Sequence, residues 1–126
     1  MGIPNRWLPS LVCALGLHFA PVYSQESHWD AYQRTGTEAF LDGRYSEASK
    51  HLEAAVREAE TFGATDARLA TSLNALAKSY RSLARYPEAT ALYQRSRTIF
   101  EEAFGSTHPR VAEVLNELAL LDQELN

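Results

Sequence analysis

The chain has 126 residues, of which 45% are hydrophobic and 22% charged, with a formal net charge of -4. A length of this order suits one domain. The apolar fraction is too high for a mostly disordered chain, and the acidic balance excludes a nucleic-acid binder, which needs a clustered cationic face. One cysteine, Cys13, excludes an intramolecular disulfide, a Cys-x-x-Cys redox pair and a multi-cysteine zinc site.

Residues 1–24 have the layout of a secretory signal peptide. Arg6 supplies the basic start, Leu8 to Ala20 form a short greasy core, and Val22-Tyr23-Ser24 supply small or aliphatic residues before Gln25. That core is shorter than the roughly 20 apolar residues needed to span a bilayer. Cleavage after Ser24 is expected, leaving residues 25–126 without cysteine and with 11 basic against 16 acidic side chains. The expected location is periplasmic or extracellular, with no stable membrane insertion after cleavage.

From residue 27 onward apolar residues recur at helical spacing, as in Leu69, Leu73, Leu76, Ala77, Tyr80 and Leu83. Helices are expected near 27–41, 45–61, 67–83, 87–103 and 109–124. Gly43, Gly63 and Gly105 fall just past helix ends, where a left-handed residue closes the last turn. Pro87 and Pro109 suit first-turn positions that need no N–H. Small residues stand where paired helices must cross closely: Gly36, Ala77 and Ala119 in first helices, Ala48 and Ala89 in second helices.

The chain also repeats itself. Thr61-Phe62-Gly63-Ala64-Thr65-Asp66-Ala67-Arg68-Leu69-Ala70 returns 42 residues later as Ala103-Phe104-Gly105-Ser106-Thr107-His108-Pro109-Arg110-Val111-Ala112. Leu73-Asn74-Ala75-Leu76-Ala77 likewise returns as Leu115-Asn116-Glu117-Leu118-Ala119. Gly43-Arg44-Tyr45-Ser46-Glu47-Ala48 is echoed by Ala84-Arg85-Tyr86-Pro87-Glu88-Ala89 at a spacing of 41. A period near 40 in a helix-rich chain means stacked helical hairpins.

These residues resemble the tetratricopeptide repeat, in the 42-residue variety typified by kinesin light chain. The pattern is carried by Tyr32, Thr35, Gly36, Ala39, Gly43, Tyr45, Ala48, Leu52 and Ala55 in repeat one (about 27–61). In repeat two (about 67–103) it is carried by Leu73, Leu76, Ala77, Tyr80, Ala84, Tyr86, Ala89, Tyr93 and Ser96. Leu115, Leu118 and Ala119 begin a half repeat (about 109–124). Thr35, Ala84 and Asp122 depart from the pattern. The resemblance implies an all-α helical-hairpin solenoid of about two and a half repeats across residues 25–126. It also implies a concave groove, lined by first helices, that holds a peptide segment of a protein partner.

Six residues are expected to line that groove: Gln33, Thr37, Asn74, Lys78, Arg81 and Asn116. Asn74 and Asn116 stand mid-helix in matching contexts although asparagine is a modest helix former. A primary amide both donates and accepts, so it can clasp a peptide bond without reading side chains. Lys78 and Arg81 share this face, and Lys78 would add attraction for acidic ligands. The Lys-then-Asn pattern of a terminal-carboxylate clamp is absent, because Gln33 and Thr37 occupy those places.

No catalytic motif with workable spacing is present, no cofactor is implied, and Glu47 with His51 gives too few ligands for a metal. An enzyme is not expected. In the last helix, Val114 and Leu121 replace Ser72 and Ser79, and Leu120 replaces Lys78. With Val111 and Leu118 these are expected to form an exposed apolar surface that associates, as a two-fold homodimer or against a partner's helix. Self-association or docking into an assembly through this surface is the alternative to groove binding.

Overall fold

The computed structural model describes residues 26–126; the expected signal peptide and its cleavage site lie outside the described residues. The described chain forms five helices and no strand: α1 His28–Leu41, α2 Tyr45–Glu60, α3 Ala67–Ser82, α4 Tyr86–Phe104 and α5 Pro109–Leu125. α1 packs on α2 and α3 on α4 as antiparallel hairpins; α2 then packs on α3, and α4 on α5. This is the expected all-α hairpin stack.

First and second helices start by different local chemistry. Each first helix has a side-chain N-cap: Ser27 Oγ accepts from Asp30 N, Asp66 from Arg68 N, and His108 Nδ1 from Arg110 N. Each second helix instead follows a tight reversal. Arg44 N donates to Ala39 O at 2.8 Å while Gly43 N donates to Phe40 O, and Arg85 and Ala84 repeat the pair against Tyr80 and Arg81. This Schellman closure needs a left-handed residue. Gly43 adopts it at φ 77°, but the second reversal forces Ala84 to φ 58°.

Leu52, Leu69, Leu73, Tyr93 and Phe100 are among the largest fully buried side chains between the helices. Gly36 crosses directly over Leu52, and a Cβ there would stand 2.6 Å from Leu52 Cγ. The hairpin thus depends on hydrogen at that position.

The expected association surface is corrected here. Val111, Val114 and Leu121 are fully buried and belong to the core, and Leu118 packs against them half-buried. Serine at the matching α3 positions, Ser72 and Ser79, suggests an outward face, yet both serines are themselves completely buried. Trp29 Nε1 donates to Ser72 Oγ at 2.7 Å, and Ser72 donates onward to Gln33 Oε1 at 2.8 Å. Ser79 donates to the backbone carbonyl of Ala75 in its own helix. These are interior positions, polar in α3 and apolar in α5. Leu120 does remain partly exposed, with Leu115 and Leu125 beside it on other faces of the helix.

Candidate functional site

The first helices α1, α3 and α5 jointly line a cleft of about 290 Å³, walled by Gln33, Thr37, Phe40 and Leu41 from α1. Thr71, Asn74, Ala75 and Lys78 come from α3, Arg110 and Glu113 from α5, and Leu52 of α2 lies beneath. Four of the six expected groove residues therefore meet in one cleft. Arg81 lines an adjoining cleft of about 430 Å³ with Glu117, Glu124 and Tyr86, and the two share Phe40 and Lys78. Asn116 lines neither; it is exposed on α5, one repeat beyond Asn74.

The cations of the groove are paired with carboxylates of α5. Lys78 Nζ lies 3.0 Å from Glu113 Oε1 and 3.6 Å from Glu117 Oε1. Arg81 pairs with Glu117 at 2.8 Å and with Glu124 at 2.8 Å, and Arg110 holds the other oxygen of Glu113 at 3.2 Å. Three carboxylates of α5 thus offset Lys78, Arg81 and Arg110. Burial alone would raise the Glu113 carboxyl, but Lys78 and Arg110 together hold it below the ordinary glutamate value. Beneath the network, burial and the neighbouring Glu117 push the Tyr93 hydroxyl well above its usual range, so it stays a donor to Glu117.

Asn74 has the least ordinary environment in the cleft. Only 5% of it is exposed; its Nδ2 donates to Glu113 Oε1 at 3.3 Å. Its Oδ1 is buried without a hydrogen-bond partner, and no other buried side-chain atom of the described residues is so placed. Buried acceptors are nearly always satisfied, and leaving one without a donor costs on the order of 1–3 kcal/mol.

Sequence reasoning missed Phe40, Leu41, Arg110 and the acidic set Glu113, Glu117 and Glu124. The readable signal was the spacing of Glu113 and Glu117, one helical turn apart, on the helix that follows Lys78 and Arg81 by one repeat. Among the described residues no group of His, Cys, Asp and Glu is arranged to hold a metal, and no described helix is long and apolar enough to cross a membrane.

Paired helices stacked so that alternate helices line a common cleft define a helical-repeat binding scaffold. A tetratricopeptide repeat model matches residues 37–102 and, overlapping them, residues 68–126. Protein kinesin light chain-related 1 of Arabidopsis thaliana is 35% identical over 79 residues, which is 63% of this chain and 13% of that protein. The chain belongs to the tetratricopeptide repeat family, whose repeats are protein–protein interaction modules and typically not enzymes.

Proposed function

We propose that the protein is an exported adaptor that binds a peptide segment of another protein in the cleft of α1, α3 and α5. The observation that carries this is the convergence of Gln33, Thr37, Asn74 and Lys78, from two different repeats, on one cleft with an apolar wall. Export rests on the layout of residues 1–24, and the mature N-terminus is Gln25. Intact mass of the secreted protein checks this; Met1 retained on a cytoplasmic species contradicts it.

Panning random displayed peptides against the chain tests the cleft. Thr37 is exposed, so Thr37→Trp fills the cleft without disturbing the core. Recovered peptides are expected to lose binding at least about tenfold to this variant. Peptides that bind both proteins equally place recognition elsewhere.

A second reading has its own observation. Leu73 and Ala77 of α3 are fully buried beneath α4, whereas their counterparts Leu115 (44% exposed) and Ala119 on α5 face solvent. An apolar helix face of this kind suits self-association or docking on a partner's helix. If so, the protein sediments as a dimer at micromolar concentration, and Leu115→Ser with Leu125→Ser returns it to monomer. A monomer before and after substitution removes this reading.

A further inference from the structure

We infer that α4 and α5 form a socket for a tyrosine side chain of a partner protein, at the place that a tyrosine of the chain itself fills one repeat earlier. The socket shares no lining residue with the groove of the first helices, and its assignment is independent of the groove-binding reading.

A cleft of about 270 Å³ lies between the two helices, lined by Thr90 and Gln94 of α4 and by Leu118, Leu121, Asp122 and Leu125 of α5. Each position has a counterpart in the preceding pair of helices, 41 residues back on α2 and 42 back on α3. Gln94 corresponds to Glu53, and Asp122 to Tyr80. Between α2 and α3 the tyrosine is part of the packing. Tyr80 is only 9% exposed, its hydroxyl donates to Glu53 Oε1 at 2.7 Å, and the Arg85 guanidinium lies 4.0 Å above its ring. Between α4 and α5 the same place carries Asp122, an exposed residue with no ring to fill the junction.

The lining selects the occupant. Leu118, Leu121 and Leu125 supply aliphatic walls, and an apolar cavity of about 150 Å³ is already enough to take benzene. Gln94 stands where Glu53 receives the Tyr80 hydroxyl, and its amide oxygen can accept a phenol proton in the same way. Tyrosine joins a large apolar ring to one polar tip, the combination that anchors protein interfaces. Asp122 alone would draw a lysine or arginine. A cation placed among three leucines, however, gives up hydration that one exposed carboxylate does not return. Leu115, 44% exposed, and the exposed Ala119 share a helix face with Asp122, so a segment that enters the socket continues onto apolar surface.

The test pans random displayed peptides on the full chain and measures each recovered sequence against Asp122→Tyr, which returns the repeat's own tyrosine. This variant is expected to melt a few degrees higher, because its ring fills the cleft from within. One class of peptides is expected to bind it at least about tenfold more weakly and to share a tyrosine. Changing that tyrosine to Phe is expected to weaken binding about threefold, the scale of one lost hydrogen bond. Gln94→Leu is expected to abolish the difference between the Tyr and Phe peptides. A class that shares a lysine or arginine instead, or a melting point that falls in Asp122→Tyr, overturns the inference. So does a panning in which no peptide discriminates Asp122→Tyr, while peptides lost to Thr37→Trp leave groove binding standing. A chain that dimerises alone and is returned to monomer by Asp122→Tyr gives the socket to a second copy and overturns its assignment to a partner.

Discussion

At the scale of single residues, the account turns on groups whose surroundings leave them one choice. Glu113 is the clearest, held by Asn74, Lys78 and Arg110 at once. Its carboxyl is depressed in the fold, so the stability it adds is fully present above its unfolded value of 4.5 and is lost as pH falls through the lower folded value. Glu113→Gln is therefore expected to lower stability near neutrality by about 1 kcal/mol, the upper end for half-exposed pairs. The difference should shrink steadily in urea melts as pH falls below 4.5. A difference that does not change with pH assigns the effect to packing. Ala84 is a second such residue, held at φ 58° by a reversal that Gly43 makes freely in the preceding repeat. Relief of a left-handed alanine is worth roughly 1–2 kcal/mol, less the chain entropy that glycine adds. Ala84→Gly is expected to raise the melting temperature by a few degrees, and a fall would mean the turn is not under strain.

At the scale of helices, the hairpin crossings and the inner face of α5 decide stability. Gly36→Ala drives a methyl into Leu52, whose backbone nitrogen is also only 3.3 Å away, and overpacking of this kind costs about 1–3 kcal/mol. Val114→Ser and Leu121→Ser each leave a hole and a hydroxyl in the core, at a cost of roughly 2–5 kcal/mol. They are expected to lower the melting point at any protein concentration. Lost association with unchanged melting would restore them to a surface role. The sequence predicts helix positions well because capping residues, reversals and the 42-residue echo all agree on them. It misleads on the facing of α5, since serine reads as solvent-exposed. Ser72 and Ser79 are buried with their hydroxyls satisfied, one by the distant Trp29 and Gln33 and one by a local carbonyl. Only the packed structure brings α1 and α3 close enough to show the first.

At the scale of the molecule, the groove combines what was legible with what was not. The repeat register places Gln33, Asn74 and Asn116 at equivalent positions on successive first helices, and Thr37, Lys78 and Leu120 in the next row. Residue types and spacing suffice for that. Which polar groups of the cleft are already taken, and whether a cation is free, depend on partners 35 to 43 residues away: Ser72 for Trp29, Glu113 for Lys78, Glu124 for Arg81. The most direct measurement is an NMR titration of the isotope-labelled chain with a peptide recovered by panning. The account predicts that the side-chain amide signals of Gln33 and Asn74 move together, with backbone shifts along α1, α3 and the start of α5. Shifts confined to α2 and α4, or to the face of Leu115 and Leu125, with both amides unmoved, would contradict it.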